Sequence, residues 1–454
     1  MSSLNYSSHV RPNFLLAYPV MLSMLGQVMT AVADSVMIGW TGATPLAASS
    51  FANVFFSIPL FFGIGVSYAI TPLVAEAAGA KNSLSIIETL RHGLLINLLV
   101  GFGLVGLIFL VEPFMFSMGQ PEDVVTLGIP YLSIIAVSII PTMIFQTYRQ
   151  FAEGLERTRM AMVIVIGSNV LNITLNYIFI FGKFGFPELG LNGAGWATLI
   201  ARVVMAVGMM FYIFYGKKFL AYRKGFSFGK YSKALISKML HIGLPAGSQF
   251  IFEAGAFGFS ALMMGWLGTT ALAAHQIAIN LATISYMTTS GLGAAAAIRV
   301  GNFLGKRDKQ NLRASAFTMI WMAVVLMSAW ALLFIFGRYF LPELYIDDPV
   351  VIQLTASLLI IAAFFQLSDG IQVVCAGALR GLQDVKVPSL LIFVAYWVIA
   401  LPLGYVLAFP LGLGANGIWI GLSIGLTLTA TAIVFRFHHL SNKMPTKEIT
   451  SEVD

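Results

Sequence analysis

Three acidic side chains stand inside long apolar runs of this chain: Asp34 in "MTAVADSVMIGW" (29–40), Glu253 in "SQFIFEAGAFGF" (248–259) and Asp369 in "FFQLSDGIQVV" (364–374). The rest of the 19 acidic residues fall in loops, tails or the borders of apolar runs. A carboxylate at the centre of a bilayer costs about 2.5–3.5 kcal/mol on insertion scales, so it faces a cavity or a partner. Two chemistries suit such a group. A carboxyl held away from bulk water can take up and release a proton, or it can hold a dehydrated cation. The competing reading is a carboxyl hydrogen-bonded to backbone beside a Gly or Pro kink. Three acids with few buried bases weigh against that reading. At 1.5 Å per helical residue, Glu253 and Asp369 both lie roughly 16–22 Å from the nearest basic border, close enough in depth to share one cation. Asp34, five residues before Gly39, lies nearer the opposite face.

Polar residues gather around the first acid. "GSNVLNITLNYIF" (167–179) spaces Asn169, Asn172 and Asn176 at i, i+3, i+7 on one helical face. Their amide oxygens can complete an oxygen shell or bond a carboxyl; equally, such a stripe can hold helix to helix. Thr198 adds a hydroxyl, and Gln27 keeps polar the repeat position that Glu253 occupies in the second half. Arg202 is the clear counter-ion candidate, and its type alone fits either a neutralising or a packing role. Arg299, near a border, reads as snorkelling. His275 in "ALAAHQIAIN" reads as a packing histidine. Pro141, Pro388 and Pro402 mark kinks.

The elements that must carry these residues follow from hydropathy. The chain is 58% hydrophobic and 10% charged, with a mean hydropathy of +0.86. A soluble domain carries about 25% charged residues, and a disordered chain far less apolar content, so both classes are excluded. Apolar runs long enough to span a bilayer number twelve: 14–38, 45–70, 90–111, 124–147, 160–181, 191–215, 241–267, 272–297, 314–337, 350–375, 387–409 and 414–435. No removable signal peptide is read at the start. Of the 26 Lys and Arg, all but Lys183, Arg202 and Arg338 lie in the termini or in even-numbered loops and their borders. That asymmetry places both termini in the cytoplasm. The net charge of +7 is therefore topogenic and implies no nucleic acid. One cysteine, Cys375, excludes a disulfide framework.

The chain also repeats itself. "MIGWTGATPLAA" (37–48) returns as "MMGWLGTTALAA" (263–274), Pro19 as Pro245 and Gly65 as Gly291. Six spans per half give the halves the same orientation. The expected division is a lobe over 1–215, a cytoplasmic linker without a fold of its own over 216–240, a second lobe over 241–437 and a polar tail over 438–454. No Walker A, HExxH or GxSxG motif and no nucleophile–base constellation is present, so no enzyme is expected.

On "QVMTAVADSVMIGW", "FFGIGVSYAITPLVAEAAGA", "LNITLNYIFIFGKFGFPELG", "IFEAGAFGFSALMMGWLG", "AAHQIAIN", "AAAAIRVGNFLG" and "QLSDGIQVVCAGALRGLQD", the sequence resembles the multidrug and toxic compound extrusion (MATE) family, in its bacterial NorM-type branch. The resemblance implies an all-α polytopic fold: twelve transmembrane helices in two pseudo-symmetric six-helix bundles around a central V-shaped cavity. It implies export of cationic, amphipathic drugs or dyes across the inner membrane in exchange for Na⁺ or H⁺, with no other cofactor and no obligate protein partner. It makes Glu253 and Asp369 a second-lobe cation site, able to take Na⁺, and Asp34 with Asn172, Asn176 and Thr198 a first-lobe site. The nearest rival is a flippase for lipid-linked saccharides, whose polyanionic cargo calls for Arg and Lys where this chain has acids.

Overall fold

The computed structural model describes residues 6–223 and 229–444. Twelve helices long and apolar enough to cross a membrane run through it. They are α1 Ser7–Gly39, α2 Ala43–Gly79, α3 Ser83–Met118, α4 Glu122–Gly154, α5 Arg159–Ile180, α6 Gly190–Tyr215, α7 Lys233–Leu267, α8 Thr269–Gly305, α9 Lys309–Phe336, α10 Pro349–Gly381, α11 Lys386–Ala408 and α12 Gly414–Lys443. Each coincides with one of the apolar runs. No strand occurs among the described residues. Helices are the expected solution, because a spanning segment in hydrocarbon must satisfy every backbone N–H and C=O within itself.

Most helices outrun their apolar stretches. The fourth run ends at 147 by hydropathy, yet α4 continues to Gly154, and residues 145–154 are buried on every side. By sequence Arg149 falls in the second even-numbered loop or its border; in the structure it lies within α4 and is buried. Arg149 Nε donates to Glu153 Oε1 at 2.7 Å, one turn away, inside the protein. Two opposite charges that depress hydropathy cancel once paired, and a window average cannot register the pairing.

The repeat seen in the sequence returns in backbone detail. Non-glycine residues with left-handed φ end corresponding helices: Lys81 and Arg307, both at 56°, and Glu156 at 60° with Gln383 at 64°. The helices that follow the first pair are capped alike. Asn82 Oδ1 accepts from Ser85 N and Asp308 Oδ1 from Asn311 N, each satisfying an otherwise orphaned amide.

Two compact units emerge. The N-terminal unit comprises Leu22–Val74 and Asn82–Gly247; the C-terminal unit comprises the chain up to Met21, Ala75–Lys81 and the chain from Ser248 onward. The first turns of α1 and of α7 thus belong to the opposite unit from the rest of their helices. Pro19 and Pro245 lie inside these helices just before each changeover. Proline removes a backbone donor and bends a helix there.

Specific contacts assign the exchanged pieces. In the C-terminal unit, Asn13 Nδ2 donates to Ser315 O at 3.1 Å and Ser315 Oγ returns a bond to Asn13 Oδ1 at 3.0 Å. Gln383 Nε2 donates to Glu76 Oε2, and a Cβ added at Gly79 would overlap the Asn302 carbonyl. In the N-terminal unit, Gly247 of α7 lies against the Phe62 carbonyl of α2. The C-terminal core centres on Trp419, Phe334, Ile298 and Phe437, and the N-terminal core on Phe56, Leu132, Ile135 and Met143.

Between α6 and α7, Lys217–Phe219 forms a tight turn and Leu220–Arg223 a short helix. Phe219 is buried against Phe151 and Tyr212. His92 Nε2 accepts from Ser232 N at 2.8 Å at the start of α7. Part of the expected linker, 224–228, and part of the expected tail, 445–454, lie outside the described residues.

Candidate functional site

Each unit holds its own polar cluster. In the N-terminal unit, α1 brings Asp34, α5 brings Asn172 and Asn176, and α6 brings Thr198. Asn176 Nδ2 donates to Asp34 Oδ1 at 2.5 Å and also to Asn172 Oδ1 at 3.3 Å. Asn172 Nδ2 in turn donates to Thr198 Oγ1 at 3.4 Å. The four residues anticipated for this site therefore form one hydrogen-bonded relay across three helices.

The i, i+3, i+7 spacing explains the relay. It aims the asparagine stripe at α1, where Asn169 lies against Gly26 and Asn176 meets Asp34. Both asparagines in the relay are essentially excluded from solvent. Among the described residues, the Asn176 Oδ1 atom has no hydrogen-bond partner. Gln27 sits two turns before Asp34, half-buried, and makes no hydrogen bond to this relay among the described residues.

Arg202 belongs to the same unit. Its Nη1 donates to Ser138 Oγ at 2.6 Å, where Ser138 separates the two segments of α4, Glu122–Val137 and Ile139–Gly154. Its guanidinium also lies over the Phe56 ring, 4.9 Å from the centroid. Among the described residues it makes no ion pair with Asp34, yet the two interact electrostatically, and buried Tyr131 lies in the field of both.

In the C-terminal unit, α7 brings Glu253 and α10 brings Asp369. Glu253 Oε1 accepts from Gln249 Nε2 at 3.2 Å and from Gln372 Nε2 at 3.1 Å. Asp369 is buried and interacts electrostatically with Glu253. The Gln372 Oε1 atom is buried and, among the described residues, has no hydrogen-bond partner. A cation placed beside the two carboxylates would find in it a further hard oxygen ligand.

Gln249 and Gln372 escape the sequence reading. Their signal was present: Gln249 is one helical turn before Glu253, and Gln372 is three residues after Asp369. Buried Tyr396 borders both carboxylates. It lies in Val394–Ala400, a π-helical stretch of α11. The neighbouring Trp397 Nε1 donates to Phe252 O at 3.0 Å, which fixes this stretch against α7. Widened turns of this kind re-aim side chains and recur at functional sites.

Other candidates resolve into packing. His275 Nδ1 accepts from Trp419 Nε1 at 3.2 Å inside the core. Arg299 lies over the Phe303 ring at 4.6 Å and meets His9 Nδ1 at 3.4 Å. No group of three or more metal-ligating His, Cys, Asp or Glu residues occurs among the described residues.

Comparison with known proteins gives concordant results. Probable multidrug resistance protein NorM of Bradyrhizobium diazoefficiens is 34% identical over 433 residues, spanning 94% of this chain and 93% of its own length. Multidrug resistance protein NorM of Vibrio cholerae is 34% identical over 434 residues, spanning 94% and 95%. A crystal structure of MATE in the bent conformation matches with a TM-score of 0.88 at 20% identity, over 97% of this chain and 98% of that one, a likeness of fold. The MatE family model matches twice, at residues 19–178 and 245–406, in the register that the internal repeat and the paired prolines Pro19 and Pro245 define. With twelve apolar helices arranged as this fold requires, the chain is an integral membrane protein and belongs to the MatE family.

Proposed function

We propose that this protein is a secondary active efflux antiporter of the cytoplasmic membrane. It exports cationic, amphipathic compounds in exchange for Na⁺ or H⁺ by alternating access, with both termini in the cytoplasm. The observation that carries the reading is the pairing of half-buried Glu253 with buried Asp369, with two glutamine amides on Glu253 and, beside them, a Gln372 oxygen that has no hydrogen-bond partner among the described residues. Two carboxylates and a hard oxygen suit a small cation or a proton and repel an anionic cargo. Family membership and the names of the NorM relatives support drug-like substrates. The bias of Lys and Arg toward the termini and even-numbered loops supports the orientation.

Coupling requires that ion and substrate bind the alternative conformations with different affinity, since a ligand shifts an equilibrium only through that difference. In proteoliposomes, wild-type protein should move a cationic dye when a Na⁺ or an H⁺ gradient is imposed. Glu253→Gln keeps the volume and one hydrogen-bonding oxygen but removes the charge. It should slow gradient-driven dye transport by about 5–150-fold, the span of an ordinary coupling free energy. Dye export by Glu253→Gln at the wild-type rate under both gradients would rule the reading out.

A further inference from the structure

The apolar run of the last helix ends at 435, but α12 continues to Lys443, and its final turns carry Arg436, His438, His439 and Lys443. They meet the start of α9, where Lys309 and Arg313 stand one turn apart. Arg313 Nη1 donates to Ser441 Oγ at 2.6 Å and to His438 O at 3.3 Å, and its Nη2 meets His438 Nδ1 at 3.3 Å. Lys309 Nζ donates to Asn442 O at 2.6 Å. A guanidinium can only donate, so His438 Nδ1 accepts and the ring proton sits on Nε2. His438 is exposed, as are His439 and Lys443.

The nearby acids are taken. Asp308 caps α9 through Asn311, and Asp384 receives both of its bonds from Arg436, at 2.5 and 3.0 Å. Among the described residues no carboxylate pairs with Lys309, Arg313 or Lys443. The helix start does not require these charges. α3 is capped in the same way, by Asn82 where α9 has Asp308, yet Ser83 and Ile87 stand where α9 has Lys309 and Arg313. The basic pair belongs to the second half alone.

Aromatic side chains adjoin the cluster. Arg313 lies over the Phe317 ring, 5.4 Å from its centroid, and Phe317 packs edge-on against Phe437 at 5.8 Å and His438 at 6.4 Å. Trp321, one turn beyond Phe317, is 67% exposed, and Phe435, one turn before His438, is 70% exposed. Basic groups at a membrane border attract anionic headgroups, and aromatic rings settle at the headgroup level. A soluble anion would use only the first of these features.

We propose that the meeting point of α9 and α12 is a binding site for one anionic phospholipid. Its phosphate is held by Lys309 Nζ and His438 Nε2, beside the permanent charge of Arg313, and its acyl chains lie along Trp321 and Phe435.

Full-length protein in detergent is titrated with phosphatidylglycerol or phosphatidylethanolamine, and bound lipid is counted by native mass spectrometry. Wild type should take one phosphatidylglycerol about tenfold or more tightly than phosphatidylethanolamine. Lys309→Gln with Arg313→Gln should weaken that binding by about 5–30-fold, the effect of losing one to two basic groups at a membrane surface. Should that pair fail to fold, Lys309→Gln with His438→Asn decides, because Arg313 keeps its bonds to Ser441 and to the backbone carbonyl at 438; it should weaken binding similarly. Lys217→Gln with Lys218→Gln, exposed lysines just after α6, should change nothing. An equal loss in that control would mean diffuse attraction to any basic border and would overturn the proposal. Undiminished phosphatidylglycerol binding in a monodisperse variant of the α9–α12 cluster would overturn it as well. Displacement of the lipid by glycerol 3-phosphate would assign the cluster to a soluble anion. Binding that emerges only when Glu448, Glu452 and Asp454 are neutralised would assign it to the chain's own acidic residues; either result also overturns the proposal.

Discussion

At the scale of single residues, the notable economy is that amides do the work around the carboxylates. Asp34 is held by Asn176, and Glu253 by Gln249 and Gln372. A neutral amide can stabilise a carboxylate through N–H donation without annulling its charge, so the acid stays available to a proton or a cation. Asn176 carries the most in its relay, since one Nδ2 serves both Asp34 and Asn172. Replacing it with leucine, close in volume, deprives half-buried Asp34 and buried Asn172 of this donor. Hydrogen bonds to charged groups contribute about 1.5–3 kcal/mol each. Asn176→Leu should therefore lower the thermal unfolding temperature of the detergent-solubilised protein measurably when Asp34 is present. In an Asp34→Asn background the penalty should shrink, because the charged acceptor is gone. An equal loss in both backgrounds would show that Asn176 stabilises helix packing alone.

At the scale of elements, Asp34, Glu253 and Asp369 stand on uninterrupted helices, while the winding changes beside residues that flank their clusters. A helix interruption falls at Ser138, which anchors Arg202, and altered winding at Val394–Ala400, which holds Tyr396. Pro141 and Pro402, each following one of these features closely, remove backbone donors that regular winding would use. Helix starts follow a simpler rule. Asn82 and Asp308 occupy corresponding positions and cap α3 and α9 through the same bond. Replacing either with alanine should cost about 0.5–2 kcal/mol, and the two losses should add, since the caps lie in different units. Hydrogen exchange confined to the first turn of α3 or α9 would reveal each loss separately. Strong non-additivity would mean that the two helix starts are not independent.

At the scale of the whole molecule, packing between long helices depends on small residues that let backbones approach. In the C-terminal unit, α8 and α10 touch where Gly293 meets Gly377, and a Cβ at Gly377 would overlap the Gly293 carbonyl oxygen. Backbone cannot swing aside as a flexible side chain can. Gly377→Ala should therefore destabilise by more than the about 1–3 kcal/mol typical of overpacking, seen as loss of folded, monodisperse protein. Gly258→Ala, where an added Cβ meets nothing within 4 Å, should be tolerated. Similar behaviour of the two variants would contradict this packing.

Twelve helices, their duplication, and the isolation of Asp34, Glu253 and Asp369 among apolar residues were legible in the amino-acid sequence. Each of these depends on a property that residues carry with them. Hydropathy decides what enters lipid, a repeat is a matter of residue identity, and a charge in an apolar run is costly wherever the run is placed. The asparagine stripe was legible as a face but not as a partner, because periodicity sets direction and not what lies opposite. Only the tertiary structure decided that the stripe faces α1, that Asn176 and not Arg202 holds Asp34, and that Arg202 is tied to Ser138 and Phe56. It also decided that Arg149 is buried against Glu153, and that α1 and α7 begin in one unit and continue in the other. These outcomes turn on which helices pack together, and in a bilayer apolar faces do not discriminate among neighbours. Close backbone approach and buried hydrogen bonds make that choice, and both exist only once the chain has folded.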